Sequence, residues 1–459
     1  MIGSGVSRWT MLHFGCAIVA LLLAGTLLAG YADPLTALRA PATLVVVHLI
    51  TIGWLSLLML GALYQFVPVI TNTPLYSQRL PLFSLGALSI GLASMLAGFL
   101  ALGGVGFIAA AWLPIGGGLV LSGFALAVAN LAPTLWRARP LPLPARFVAA
   151  GLGFLLLAGL LGLGFALAFA LPRPPHFLLA LTGGGLSLHI AAGLGGWFML
   201  TAMGVSYRLL SMFMLAPDEP RRSGWAALIL TVAGLVLLIA AGLARLESGL
   251  AAGAIEKLGG VLAALGTAFY LADILRFYRT RKRRHLELNS VTAAVALTLL
   301  ALALVLTALA LAAGTFGRYA GALGYLFIFG GLTGLGLGQL YKIIPFLTWL
   351  EFFGARLGKG PVPRVQDLVN ERRAKPGFVL YFVAVMLASG ALAFGHAQFW
   401  RVAAVLQLAG TALIALELWR ARHPPVNLES SPVRPPRTPS SSAKPAAPAS
   451  FDSHSLQGD

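Results

Sequence analysis

Residues 44–70, LVVVHLITIGWLSLLMLGALYQFVPVI, carry a spacing that the chain writes three times. In this first copy Trp54 is followed by Gly61, Tyr64, Gln65 and Pro68. Residues 189–211 repeat the spacing with Trp197, Gly204, Tyr207, Arg208 and Ser211, and residues 331–345 repeat it with Gly331, Gly338, Tyr341, Lys342 and Pro345. In each copy the glycine falls seven residues after the anchor, the tyrosine ten and the last member fourteen. At ~100° per residue these offsets return to within ~80° of one another, so they mark one stripe on a helix. The copies start about 140 residues apart, which leaves room for about four membrane spans each. Periodic self-similarity of this kind predicts three related four-helix units.

Composition agrees with a membrane environment. Hydrophobic residues make up 58% of the 459, and charged residues only 10%. With a mean hydropathy of +0.87, this is a polytopic helical membrane protein and not a soluble one. Apolar runs predict twelve spans, at about 11–31, 43–70, 80–103, 106–130, 146–171, 177–214, 224–244, 253–276, 290–314, 319–350, 377–395 and 398–419. They form one membrane domain over residues 1–420. Beyond it, residues 421–459 are rich in Pro, Ser and Ala without apolar periodicity, and are expected to be a disordered cytoplasmic tail.

The net charge of +18 is not a nucleic-acid footprint, because of where it sits. Arg39, Arg173, Arg245, Lys257, Arg318 and Arg401 follow odd-numbered spans, whereas the other 26 of the 32 Lys and Arg lie at the opposite helix ends. This positive-inside asymmetry places both termini on the cytoplasmic side of an inner (cytoplasmic) membrane. The stretch PRVQDLVNERRAK within 351–376 is expected to form a short amphipathic helix along the headgroups. Cys16 is the sole cysteine, which excludes a disulfide framework, a Cys-rich metal site and an iron–sulfur motif.

Two histidines are candidate ligands. His48 on the second span and His189 on the sixth lie inside the membrane, where a neutral imidazole offers the nitrogen lone pair that haem iron or copper needs. The bland alternative is a histidine bonded to a neighbouring hydroxyl or carbonyl. His48 precedes Trp54 by six residues and His189 precedes Trp197 by eight. They therefore stand ~120° and ~80° from the shared stripe, on opposite sides, which predicts that they serve different sites. Gln65, Arg208 and Lys342 share one repeat position at the cytoplasmic helix ends, where snorkelling to headgroups competes with a polar vestibule. His13 could face the core. Asp273 is expected at the interface beside Arg276, and the methionines 199, 203, 212 and 214 are expected as core filling.

The pattern H-x4-G-W-x6-G-x2-Y-x3-P, formed by His48, Gly53, Trp54, Gly61, Tyr64 and Pro68, resembles the catalytic subunit of haem–copper oxidases. It is most similar to the cbb-type and nitric-oxide-reducing branches. That resemblance implies twelve helices in three pseudo-symmetric four-helix arcs, and haem b or copper as cofactor. It makes His48 the counterpart of a low-spin haem ligand on helix two, and puts His189 on the helix that carries a copper ligand. The family's His-x-His is missing, since position 46 is Val, and no histidine lies in 224–244 or on helix ten, where Tyr325 takes the repeat position of His48. The binuclear oxygen-reducing centre is therefore expected to be absent. Three readings stay open: a haem- or copper-binding protein of respiratory electron transfer or nitric-oxide and oxygen handling, a non-catalytic partner of respiratory-complex subunits, and a metal-free twelve-helix transporter. All three place the chain in a lipid bilayer.

Overall fold

No water reaches the bilayer core, so each spanning backbone must satisfy its own N–H and C=O groups, and long helices do this. The computed structural model describes residues 4–30, 39–105, 109, 111–217, 221–249, 251–358 and 362–424, with side chains from residue 8 onward. Among the described residues twelve helices are long and apolar enough to cross a membrane, and there is no strand. They are α1 (Ser4–Gly30), α2 (Pro41–Thr71), α3 (Leu80–Leu102), α4 (Trp112–Arg137), α5 (Leu143–Ala170) and α6 (Leu186–Met214), the last entered through a short helix at His176–Gly184. Then come α7 (Arg222–Ser248), α8 (Gly253–Thr280), α9 (Leu288–Ala312), α10 (Phe316–Arg356), α11 (Glu371–Phe394) and α12 (Ala397–Arg422). The chain is an all-α multi-pass membrane protein. The tail expected from 421 lies outside the described residues from 425 on.

The threefold repeat is visible in the backbone. α2, α6 and α10 each widen into a π-helical stretch, at Leu49–Ser56, Ala191–Met199 and Leu326–Thr333, and each stretch ends two residues after its anchor. Among the described residues the two non-glycine residues with left-handed backbone, Asn72 (φ 48°) and Leu215 (φ 52°), both stand eighteen residues after the anchors Trp54 and Trp197. Repeat glycines also meet equivalent neighbours. A Cβ at Gly61 would stand 2.7 Å from the Cβ of His13 on α1, and one at Gly204 would stand 2.7 Å from that of Phe147 on α5. At Gly338 it would stand 3.2 Å from the Cβ of Thr292 on α9. In each arc the second helix thus lies hard against the first through one small residue, the expected device where lipid gives no hydrophobic drive.

Two indole bonds tie the arcs together. Trp197 Nε1 donates to Ser56 Oγ at 3.1 Å, and Trp54 Nε1 donates to Thr333 Oγ1 at 3.1 Å. Each acceptor stands two residues after the anchor of its own arc, so the links run from the second arc to the first and from the first to the third. Closing the ring would need an indole at 331 and a hydroxyl at 199, where the chain has Gly331 and Met199.

One expected element is different. The segment before α11 is not a continuous surface helix. Arg364 and Asp367 cap a 3₁₀ turn at Val365–Leu368, and the Asn370 side chain then accepts from the backbone N–H of Arg373 to start α11. Two local capping interactions outcompete a helix that has no packed face of its own.

Candidate functional site

His48 closes the α-helical start of α2, directly before the π-helical stretch, and His189 stands two residues before the corresponding stretch of α6. The two rings lie 6.5 Å apart, centroid to centroid, with planes 24° apart. Helical phase led to an expectation of separate sites, and the two rings nonetheless lie side by side. Each phase was reckoned about its own helix axis, and on neighbouring helices opposite flanks of two stripes face each other. The wide turns that follow each histidine also break the ~100° reckoning between it and its anchor.

His48 Nδ1 is 2.8 Å from the Leu44 carbonyl, and as the donor of that bond it leaves Nε2 with the lone pair. His189 has a buried Nδ1 with no hydrogen-bond partner among the described residues. Phe99 of α3 lies 4.9 Å from the His48 ring, and Phe165 of α5 lies 5.9 Å from the His189 ring. Gly162 of α5 makes room here, since a Cβ on it would stand 3.2 Å from His189 Cε1. The result is two imidazoles set among aromatic rings.

A metal bonded to one nitrogen of each ring at ~2 Å would hold the ring centres at most roughly 6 Å apart, against the 6.5 Å seen. The other family sites do not fit. Tyr325, at the repeat position of His48 on α10, is packed 4.4 Å from Phe329 and 5.1 Å from Trp400, and its hydroxyl donates to Gln407 Oε1. A haem held between α2 and α10 would find no histidine on α10, where this tyrosine stands. The middle of the bundle is filled by Trp54 and Trp197, 0% and 1% exposed. Among the described residues no three His, Cys, Asp or Glu side chains come together, so a three-ligand copper site has no donors.

Other polar residues settle differently than expected. Asp273 on α8 is buried: Oδ2 accepts from the Tyr207 hydroxyl at 2.9 Å, and Oδ1 accepts from Ser223 at 2.7 Å. His13 does face the core, with Nδ1 2.8 Å from the Trp9 carbonyl and its ring edge-on to Tyr64 at 5.4 Å. At the shared polar position, Gln65 donates to Thr10, while Lys342 pairs with Glu287. Met199, Met203 and Met214 are core, whereas Met212 is exposed.

No family model matches the sequence, and no curated protein matches it either. The fold is similar to that of a haem–copper terminal oxidase solved as a dimer by cryo-electron microscopy. The two share 13% sequence identity with a TM-score of 0.64, over 92% of this chain and 83% of that one. The twelve-helix oxidase scaffold is thus present at an identity that fixes the fold alone.

Proposed function

We propose that this chain is an oxidase-like membrane protein that binds one redox metal, as haem iron or a copper ion, between His48 and His189, and serves electron transfer or nitric-oxide and oxygen handling without a binuclear centre. The observation that carries the reading is the approach of the two imidazoles to 6.5 Å from different arcs. A bound iron or copper supplies one-electron chemistry. The chain's own residues do the rest. The Leu44 carbonyl fixes the His48 tautomer, and Phe99 and Phe165 keep water from the imidazoles.

The visible spectrum and metal content of detergent-purified protein from haem- and copper-replete cells test this. A reduced-minus-oxidised haem band, or one copper per chain, lost in both His48→Ala and His189→Ala while gel filtration stays monodisperse, supports the site. A signal that survives both substitutions overturns it. A second reading, a non-catalytic partner within a respiratory assembly, is favoured by Tyr325, which stands at the repeat position of His48 and is packed against Phe329 and Trp400. It is selected if the wild-type protein carries neither haem nor stoichiometric copper.

A further inference from the structure

α1 of the first arc meets α10 and α12 of the third around a small cavity, with Leu21, Gly25 and Leu28 on one side and Tyr325, Gln407 and Thr411 on the other. The centre of a water-sized sphere can occupy about 10 Å³ of it. A buried cavity takes up a water when it offers about that much room and two to four polar partners. None of the residues lining it is charged, and its three polar side chains are each more than nine-tenths buried. The Tyr325 hydroxyl donates to Gln407 Oε1, and the Thr411 hydroxyl donates to the Gln407 carbonyl. Both hydroxyl protons are thereby spent, while both hydroxyl oxygens keep a lone pair. Gln407 Nε2 makes no hydrogen bond among the described residues, so its two N–H groups are unspent.

We propose that this cavity binds one structural water, which accepts from Gln407 Nε2 and donates to the Tyr325 and Thr411 hydroxyl oxygens. An apolar gas would suit the α1 wall and leave the amide unmet, so the mixed lining favours water. The water holds the amide with Oε1 toward Tyr325. It thereby helps to fix the ring that stands at the repeat position of His48, in the arc that carries no imidazole there.

Radiolytic footprinting of the full-length protein in detergent, read by mass spectrometry, tests this, because a hydroxyl radical made from a bound water oxidises the side chains it touches. Tyr325 is expected to be labelled. Tyr381, equally buried but outside the cavity and bonded to the Phe329 carbonyl, is expected to stay unlabelled. Gly25→Ala puts a carbon into the wall, 3.0 Å from Leu408 Cδ1, and is expected to abolish the Tyr325 label. Thr411→Val keeps the shape but removes one partner, and is expected to lower the label; it decides the matter if Gly25→Ala does not purify as a monodisperse species. No label on Tyr325 in the wild type, equal label on Tyr325 and Tyr381, or a label that the purified variants leave unchanged would overturn the site.

Discussion

Removing the hydroxyl that receives an indole should weaken the joint between two arcs by the same amount at two places. Ser56→Ala strands the Nε1–H of Trp197, and Thr333→Val strands that of Trp54. Both tryptophans are fully buried, so no water replaces the lost acceptor. A stranded buried donor costs about 1–3 kcal/mol in soluble proteins. Interhelical bonds measured in membranes average about 0.6 kcal/mol, because a chain unfolded within the bilayer finds other partners. About 1 kcal/mol per site is therefore expected. Ser56 should come out slightly higher, since its hydroxyl also donates to the Thr51 carbonyl at 2.8 Å. Double-mutant cycles with Trp197→Phe and Trp54→Phe, read by circular dichroism during unfolding in mixed micelles, isolate the two couplings. They should agree within about 0.5 kcal/mol if the two bonds are related by the repeat. A coupling near zero at either site, in a variant that keeps its helicity, would refute the claim that these bonds join the arcs.

A side chain at Gly259 would put its Cβ 2.6 Å from the Gly234 carbonyl oxygen and from the Leu238 nitrogen. Gly259→Leu should therefore yield no monodisperse protein, while Gly153→Leu, where no heavy atom lies within 4 Å of the added carbon, should purify as wild type in fluorescence-detected gel filtration. Glu287 is partly buried, which by itself raises its carboxyl, but Lys342 and Arg283 more than reverse this and hold it below the ordinary glutamate range. A depressed folded-state value means the contribution is present above the unfolded pKa and is lost as pH falls through the folded one. Thermal stability of the wild type should thus decline below about pH 4.5, and Glu287→Gln should flatten that decline. Tyr207→Phe takes one of two donors from the buried Asp273 side chain and should cost about 1–3 kcal/mol in the same unfolding assay, the range for leaving a buried acceptor short of a partner.

The scaffold was legible because the signals that define it are one-dimensional. Twelve apolar runs, the alternation of arginine between loops and the seven, ten and fourteen spacing all survive without side-chain geometry. The left-handed residues Asn72 and Leu215 fall at a further shared offset, eighteen residues after their anchors, which that spacing did not include. The break at 363–370 was not legible from amphipathic pattern, because capping by Arg364, Asp367 and Asn370 is decided by single hydrogen bonds. The partners of Asp273 were not legible for a related reason. A carboxylate near a helix end is usually solvated, and only the third dimension brings Tyr207 and Ser223, on two other helices, to its two oxygens.

The histidines show where helical phase stops being informative. Phase places a side chain relative to its own helix axis, and whether two such side chains meet depends on how the axes are related. With three arcs about a common centre, the flank of α2 that turns away from its own stripe on one side meets the flank of α6 that turns away on the other. Residues on opposite sides of the repeat are then the ones brought together, as His48 and His189 are at 6.5 Å. The same argument explains why Tyr325, the repeat counterpart of His48, is not a third member of this pair. Its own flank faces α11 and α12, where Trp400 and Gln407 enclose it. A repeat that conserves backbone shape thus leaves each gap between arcs free to hold different chemistry: two imidazoles between the first arc and the second, and packed aromatic rings within the third.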